Sequence, residues 1–302
     1  MSDAARPNFF LIGAPKSGTS AMCAYLRQHP EVFLPRLKEP YWFSSDLLNP
    51  PRVHSEKEYL GLFAPGAGRP RIGEGSVGYL YSEAATRNVH AFDPEAKLIV
   101  MLRDPVSMVP SYHSQLLYEC WEPLVDLEEA LDAEDDRRQG KRLPKGIDFR
   151  TLAYSEVADY APHIERWQET FGKDALLVLL MDDLKADAAG TYRRVLEHLG
   201  VDPGHEPDLK VVNPAKDVRY RRLHRFVTRP PYWLHWGRQT LPITTRRGRV
   251  LQRVKRWNAR PAQKKPMPDH LRARLAEIYG PKVRDLERVI GRDLSHWAQA
   301  DR

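Results

Sequence analysis

The chain has 302 residues, 42% of them apolar, which is enough for one large domain or two small ones with a sizeable core. The apolar run before Gly13 has only four residues, too short for a signal peptide, and no stretch approaches the roughly 20 residues of a membrane span. Cys23 and Cys120 lie far apart and in no metal-binding spacing, so we expect reduced thiols and a soluble, cytoplasmic protein.

The net charge of +7 is unevenly distributed along the chain. Residues 218–268 contain fifteen Lys or Arg residues and no Asp or Glu, so acidic residues are in excess elsewhere. Aromatic side chains are interleaved with these cations, at Tyr232, Trp233, Trp236 and Trp257. Such a shift in composition indicates a functional segment or a mobile arm.

Strand, turn and helix follow one another repeatedly along the chain. The first strand, FFLIGA, leads into a loop and then a helix at about residues 17–28. RIGEGSVGYL is typical of a second strand that leaves its sheet near Glu74. KLIVMLRDP predicts a third strand, apolar enough to be buried on both faces of a parallel sheet. After it, Asp104 can cap a helix whose first position is Pro105.

A fourth strand, DALLVLLMDDL, precedes a helix that we expect to be capped by Asp182 or Asp183 and to end at Gly200. Near the C-terminus, the sequence LRARLAEIYGPKVRDLERVIG has apolar residues at helical spacing. Alternating strands and helices predict a single α/β domain over residues 1–302, with helices on both faces of a parallel sheet. Binding loops are then expected at the carboxyl ends of the strands.

The sequence LIGAPKSGTS after the first strand predicts an anion-binding loop. Gly13 and Gly18 have the spacing of the two glycines in a Walker A loop, but the lysine precedes the second glycine instead of following it. A glycine-containing turn between a strand and a helix N-terminus presents backbone N–H groups to an anion. The side chains that add a positive charge and hydroxyl donors are Lys16, Ser17, Thr19 and Ser20.

The end of the third strand indicates which anion is bound. Walker-type kinases hold Mg²⁺ with the loop hydroxyl and a carboxylate at the end of a neighbouring strand. Here that strand ends in a cation, Arg103, and Asp104 is placed as a helix cap. Arg103 together with Ser111, about two turns along the next helix, suits a second phosphate. The sequence therefore predicts two separated anion sites and no metal.

Four stretches together resemble the signatures of the sulfotransferases that use 3′-phosphoadenosine 5′-phosphosulfate (PAPS): PKSGTS, LKEPYWFS, EGSVGYL and VMLRDPVSMVPSY. They are most similar to the branch of heparan sulfate N- and O-sulfotransferases and its soluble bacterial relatives. The resemblance covers most of the chain, since YAPHIERWQETFGKDALLVLLMDDLKAD and LERVIGRDLSHW also fit that bacterial group. It implies a P-loop-containing parallel sheet of the sulfotransferase type and metal-independent transfer of a sulfuryl group to a hydroxyl or amine.

The resemblance also implies the residues of the donor site. Arg103 and Ser111 would hold the 3′-phosphate of PAPS. In the relatives a later loop crosses that phosphate, and we expect this contact from Arg219, with Lys216 as the near alternative. Lys16 would lie near the oxygen that joins phosphate to sulfate. The 5′-phosphosulfate would be held by Lys16, Ser17, Gly18, Thr19 and Ser20.

On the acceptor side, the resemblance implies that the catalytic base is Glu39, within LKEPYWF. The neighbouring Lys38 either holds the sulfate as a further catalytic residue or is simply exposed. His113 is the alternative base, because the cytosolic branch of the family uses a histidine. A cofactor-side or packing role suits its position just after Ser111 better. His29 is interpreted as structural.

One position departs from the heparan-type pattern, which has a lysine where EGS has Gly75. The positive charge of that missing lysine would have to come from Lys38 or from an arginine of the basic segment. Its absence also disfavours a heparan-like polymer as the acceptor. Glu74 and Ser76 match the pattern, and we expect Glu74 to hold a loop or the acceptor. The acceptor class stays open among small molecules, carbohydrates, peptides and lipids, as does the oligomeric state.

Three other functions also remain open: a P-loop small-molecule kinase, an inactive module that keeps the nucleotide site, and a nucleic-acid binder built on the basic segment. Lys16 and Arg103 disfavour the kinase, and Glu39 disfavours the inactive module. We expect no nucleic-acid partner. Residues 216–268 are interpreted as a lid over the acceptor cleft. The alternative is a solvated basic surface, which would also suit peripheral contact with a membrane.

Overall fold

The computed structural model describes residues 5–47, 53–209, 216–218, 257–261 and 266–299, and of residues 216–218 and 259–261 the backbone alone. Five strands form the central sheet, and two short strands pair separately. The strands are β1 (Phe9–Gly13), β2 (Val32–Phe33), β3 (Arg71–Gly75), β4 (Lys97–Leu102), β5 (Leu176–Leu180), β6 (Lys216–Val218) and β7 (Ala259–Pro261).

Helices fill the connections between the strands, and none in the described part of the chain is both long and apolar enough to cross a membrane. Short 3₁₀ helices lie at Ala64–Gly66, Val77–Tyr79, Phe149–Leu152 and Lys173–Ala175. The α-helices are α1 (Thr19–Leu26), α2 (Glu56–Gly61), α3 (Glu83–Phe92), α4 (Pro105–Tyr118), α5 (Leu127–Asp132), α6 (Glu134–Arg138), α7 (Tyr154–Val157), α8 (Tyr160–Phe171), α9 (Met181–Ala186), α10 (Ala188–Leu199) and α11 (Asp269–Ile290).

The five-stranded sheet is parallel throughout, in the order β2-β3-β1-β4-β5. β1 is central: Phe9 pairs with Gly73 of β3 on one side and with Lys97 of β4 on the other. A side chain at Gly73 would collide with the Phe9 ring, since a Cβ there would lie 2.0 Å from the Phe9 Cζ. The carboxyl ends of β1, β3 and β4 meet at one edge of the sheet, so the loops that follow them converge there.

Each face of the sheet has its own core, because successive residues of a strand point to opposite faces. Phe10 and Ile12 of β1 pack into the larger core, which includes residues of α3, α4, α8 and α11. Phe9 and Leu11 pack into a smaller core with residues of α1 and α10. The predicted parallel sheet with helices on both faces is therefore confirmed.

The four strands predicted from the sequence are also confirmed, and β3 ends one residue beyond Glu74. Asp104 caps α4 as expected: its Oδ1 accepts a hydrogen bond from the Val106 N–H at 3.1 Å, and Pro105 is the first helical residue. The two-residue edge strand β2 was not predicted, because it is too short to show an alternating pattern.

The predicted cap of α10 is wrong. Asp182 and Asp183 lie in the first turn of α9, a separate short helix. The residue that caps α10 is Asp187, whose Oδ1 accepts a hydrogen bond from the Gly190 N–H at 2.8 Å. The other end of α10 is as predicted, since Gly200 follows it in a left-handed conformation with φ of 67°.

The C-terminal part of the chain returns to the main body of the fold. β6 pairs antiparallel with β7 and lies against α4, and α11 packs against both α8 and α4. Most of residues 216–268 lie outside the described residues. Their interpretation as a lid therefore stays a prediction.

Candidate active site

The predicted anion loop follows β1 at the centre of the sheet. Lys16 has φ of 59° and Gly18 has φ of 91°, so the chain passes twice through the left-handed region before α1 begins at Thr19. Only glycine adopts the second conformation without strain, and a Cβ at Gly18 would also lie 3.1 Å from the Leu184 Cδ2. The turn places the N-terminus of α1 at the loop, where a helix attracts anions.

The hydroxyl groups of the loop have two different roles. Ser17 is fully buried, and its Oγ donates to the Pro15 carbonyl oxygen at 3.2 Å, so this side chain stabilises the loop itself. The Thr19 Oγ1 and the Ser20 Oγ instead accept hydrogen bonds from the Lys38 Nζ, at 3.1 and 2.9 Å. The loop is therefore joined to a lysine from a different connection of the sheet.

Arg103 joins the same loop from the neighbouring strand. It follows β4 directly, and its Nη1 donates to the carbonyl oxygen of Lys16 at 3.3 Å and to the Ser111 Oγ at 3.2 Å. The Arg103 Nε is buried and has no hydrogen-bond partner among the described residues. Buried N–H groups are nearly always paired in folded proteins, so this unpaired donor marks a place that suits an anion.

Lys16 and Arg103 bring two positive charges to one place. Burial lowers the pKa of Lys16, and the charge of Arg103 lowers it further. Burial also lowers the pKa of Arg103. In both cases the charged form is disfavoured, whereas a nearby negative charge would raise the two pKa values and favour the charged forms. A bound anion would therefore stabilise this pair of side chains.

Asp104, which follows Arg103, is engaged in structural contacts. Its Oδ1 accepts from the N–H groups of Val106 and Ala298, and its Oδ2 accepts from the Ser107 Oγ. Within the described ranges, no group of three or more His, Cys, Asp or Glu residues is arranged to hold a metal ion. Asp104 thus acts as the helix cap that the sequence predicts.

Glu39 lies beside the anion loop. Its Oε1 is 3.4 Å from the Lys38 Nζ, and its Oε2 accepts a hydrogen bond from the Tyr41 hydroxyl at 3.1 Å. The side chains are 17% exposed for Glu39 and 23% for Lys38, so both reach solvent. Burial and then the charge of Glu39 raise the pKa of Tyr41 well above its ordinary value, so the hydroxyl stays a donor. Lys38 therefore contacts both the anion loop and the candidate base.

The Lys38 side chain lies beside Gly75. A Cβ at Gly75 would lie 3.9 Å from the Lys38 Cε and 3.2 Å from the Cys23 Sγ. The Gly75 carbonyl oxygen also accepts a hydrogen bond from the Glu39 N–H at 2.9 Å. Lys38 thus passes beside the position where the heparan-type pattern has a lysine, as one of the two expected sources of that charge.

A buried carboxylate lies close to this segment. Glu74 is fully buried and accepts hydrogen bonds from the Tyr59 hydroxyl at 2.5 Å and the Ser76 Oγ at 2.6 Å. Tyr79 is a further hydrogen-bond partner. Burial raises the pKa of Glu74 to about 7, and the three hydrogen bonds act against this rise.

The two histidines singled out in the sequence lie in structural positions. His113 is buried, its Nε2 is 2.9 Å from the carbonyl oxygen of Leu124, and its ring contacts that of Tyr154. This position fits the packing role. The His29 Nε2 is likewise 3.0 Å from the carbonyl oxygen of Asp202.

The expected contact to the 3′-phosphate from the basic segment is not described. Arg219 lies outside the described residues. Its alternative, Lys216, begins β6, which lies against the helix that carries Ser111. The assignment of this contact therefore stays a prediction.

Two tyrosines of the site were not predicted. Tyr41 lies within LKEPYWFS, so its closeness in sequence to Glu39 was an available signal. The Tyr160 hydroxyl donates to the Arg103 carbonyl oxygen at 3.1 Å and also contacts Ser17. Tyr160 begins α8, far from both in sequence, and no local pattern indicates this contact.

A model of the sulfotransferase domain family matches residues 6–286. The chain belongs to this family. The resemblance identified in the sequence is thus confirmed. The crystal structure of a sulfotransferase from Alicyclobacillus acidocaldarius is similar, with a TM-score of 0.71 and 27% identity, covering 98% of this chain and 100% of that one. The sulfotransferase type of fold is confirmed as well.

Curated relatives match over a shorter part of their length. Carbohydrate sulfotransferase 15 of Mus musculus is 28% identical over 267 residues, which cover 70% of this chain and 47% of that protein. Heparan sulfate glucosamine 3-O-sulfotransferase 3B1 of Mus musculus is 27% identical over 196 residues, covering 65% of this chain and 46% of that protein. The chain spans about half the length of these relatives.

Proposed function

We propose that this protein is a PAPS-dependent sulfotransferase that moves a sulfuryl group, without a metal ion, to a hydroxyl or amine of a small-molecule, carbohydrate or lipid acceptor. The observation that carries the proposal is the position of Arg103. Its guanidinium contacts the carbonyl oxygen of Lys16 on one side and the Ser111 hydroxyl on the other. Two groups of anion-binding side chains are thereby joined at the ends of adjacent strands.

The charges of the donor suit these two groups. The 5′-phosphosulfate of PAPS would be held by the loop of residues 16–20 and the N-terminus of α1. The 3′-phosphate would be held by Arg103 and Ser111, and the unpaired, buried Nε of Arg103 is a donor available for it. A cation at this strand end, where a Walker-type kinase needs a carboxylate for Mg²⁺, favours PAPS over a magnesium nucleotide.

Lys16 and Lys38 are the cations suited to the transfer itself. PAPS supplies the sulfuryl group and a leaving phosphate oxygen, on which negative charge grows during transfer. Lys16 would stabilise that charge, which is the kind of electrostatic contribution that lowers a barrier without moving a proton. Lys38, held by Thr19 and Ser20, places a second cation between the loop and Glu39.

Glu39 would accept the proton of the acceptor group. Its carboxylate is next to the loop, reaches solvent and is oriented by the Tyr41 hydroxyl. A base must lie within hydrogen-bond reach of the proton that it removes, and a side chain at the edge of the donor loop meets that need. The relatives are named for carbohydrate and heparan sulfate acceptors, which supports a carbohydrate among the candidate acceptor classes.

The transfer of labelled sulfate from PAPS to a fractionated extract of the native host, in the presence of EDTA, tests this function. We expect the parent protein to label at least one fraction. Lys16→Ala should lower kcat by roughly 10²–10³, the loss typical of one such donor. Lys57→Ala, which removes an exposed lysine of α2, is the matched control and should keep the parent rate. No label from the parent protein, or single-turnover transfer by Lys16→Ala within a few-fold of the parent, would contradict the proposal.

A further inference from the structure

The residues that follow the candidate base are held by partners of one buried carboxylate. The Tyr41 N–H donates to the Ser76 Oγ at 3.4 Å, and the Ser76 Oγ donates to the Glu74 Oε1 at 2.6 Å. The ring of Trp42 stacks on that of Tyr59, with centroids 5.6 Å apart and planes at 15°. The Tyr59 hydroxyl donates to the Glu74 Oε2 at 2.5 Å.

Phe43, the next residue, is held in the same way. Its N–H donates to the Tyr79 hydroxyl oxygen at 3.2 Å, and Tyr79 is also hydrogen-bonded to Glu74. Three consecutive residues, 41–43, are therefore each held by a different side chain, and all three of those side chains are bonded to Glu74. Such a shared partner couples the three contacts to one another.

The backbone of this segment needs support from its surroundings. Glu39 and Tyr41 have φ of 61° and 56°, in the left-handed region that side chains other than glycine rarely adopt. Such conformations persist only where neighbouring contacts fix them. Because the Tyr41 hydroxyl donates to the Glu39 Oε2, a displacement of Tyr41 would also displace the carboxylate of Glu39.

We propose that Glu74 is a positioning residue for the Glu39 carboxylate, acting through Ser76, Tyr59 and Tyr79 on residues 41–43. This role rests on the proposed function, in which Glu39 accepts the proton of the acceptor. It also decides between the two expectations for Glu74, because a fully buried carboxylate whose oxygens already accept hydroxyl groups of the protein holds a loop and not an acceptor.

The test combines amide hydrogen exchange with turnover in Glu74→Gln and Ser76→Ala. Loss of a buried hydrogen bond should speed exchange at the Tyr41 and Phe43 amides in Glu74→Gln, and at the Tyr41 amide in Ser76→Ala, by roughly tenfold. We expect kcat for transfer from PAPS to fall in both variants. The affinity for the desulfated product PAP should stay at the parent value, because the contacts of Lys16 and Arg103 do not pass through Glu74.

Glu134→Gln is the matched control, because Glu134 is also a buried carboxylate that accepts hydrogen bonds from a serine, Ser155. It should leave exchange at residues 41–43 and kcat unchanged. If Glu74→Gln fails to fold, Ser76→Ala and Tyr79→Phe each remove a single hydroxyl, and they should speed exchange at Tyr41 and at Phe43 respectively.

Unchanged exchange at both amides in these variants would overturn the role of Glu74, as would faster exchange with parent kcat. The exchange measurement requires no turnover. A parent protein that transfers no sulfate would contradict the proposed function, and the exchange rates would still decide whether Glu74 holds this segment.

Discussion

Lys38 shows how one side chain can connect the two halves of the site. Its Nζ contacts the hydroxyls of Thr19 and Ser20 and lies 3.4 Å from the Glu39 Oε1. An ion pair between partly exposed side chains adds at most about 1 kcal/mol to stability. This contact therefore matters less for stability than for placing Lys38 between the anion loop and Glu39. A donor anion on the loop would attract the same lysine, so donor binding and the environment of Glu39 are linked.

The base assignment leads to a prediction for Glu39→Gln. The amide keeps the size of the side chain but cannot accept a proton at neutral pH, so transfer from PAPS should be abolished. PAP binding, measured by calorimetry, should remain at the parent value. Glu165→Gln, which changes an exposed glutamate of α8, is the control and should change neither quantity. Retained turnover in Glu39→Gln, together with its loss in His113→Ala, would move the base to His113.

At the scale of single elements, the start of α10 depends on one polar side chain. α10 is capped by Asp187, because Asp182 and Asp183 already lie in the first turn of the preceding helix, α9. The two aspartates in the first turn of α9 have other partners: the Asp182 Oδ2 accepts from the Trp297 Nε1 at 2.7 Å, and Asp183 pairs with Arg292. A run of closely spaced aspartates thus serves two helices and a contact with the C-terminal segment.

The cap of α10 can be measured directly. Asp187→Ala should lower the free energy of unfolding by about 1 kcal/mol, the usual cost of losing an N-cap side chain, and Asp187→Asn should retain most of the stability. Urea denaturation measures both. Asp174→Ala, which removes an exposed aspartate outside any cap contact with α10, is the control. Equal stability of Asp187→Ala and the parent would contradict the assignment of the cap.

Glu74, near the end of β3, should make the stability of the protein depend on pH. Burial raises the pKa of Glu74 from 4.5 to about 7, so the folded state favours the protonated carboxyl. The stability that the protein gains from holding Glu74 protonated is fully present below about pH 4.5 and is lost as the pH rises through about 7. Glu74→Gln does not titrate there. Its free energy of unfolding relative to the parent should therefore increase by about 2 to 3 kcal/mol from pH 5 to pH 8.

Denaturation of both proteins across this pH range tests the prediction. Taking the difference between parent and variant removes the titration of groups that are common to both, such as His113. A constant difference between the parent and Glu74→Gln from pH 5 to pH 8 would show that Glu74 keeps an ordinary pKa.

For the molecule as a whole, the parts predicted from the sequence are those with a local signature. β1 and β4 are continuous apolar runs because both of their faces are buried, and such runs stand out in the sequence. β2 has two residues and carries no such signal. The boundary between α9 and α10 was missed because three aspartates lie within six residues, and each is a suitable cap by type.

In the candidate site, too, some residues were predictable from a local sequence pattern and some contacts were not. Lys16 was predicted from the loop after β1, Arg103 from the end of the third predicted strand, and Ser111 from the helix that follows it. The structure brings the three residues together. The contacts of Glu74 were not predictable by local pattern, since Tyr59 comes from α2 and reaches the end of β3 only through packing. Side chains that meet across elements in this way depend on the three-dimensional arrangement of the whole core.

The most direct test of two joined anion sites compares the binding of PAP with that of adenosine 5′-phosphate, which lacks the 3′-phosphate. Hydrogen bonds to a charged group contribute about 1.5–3 kcal/mol, so the parent should bind PAP roughly 10- to 100-fold more tightly. Arg103→Ala should remove most of this preference, and Arg87→Ala, at an exposed arginine of α3, should preserve it. Equal affinities of the parent for the two nucleotides, or an undiminished preference in Arg103→Ala, would contradict the assignment of the 3′-phosphate site and with it the choice of PAPS as donor.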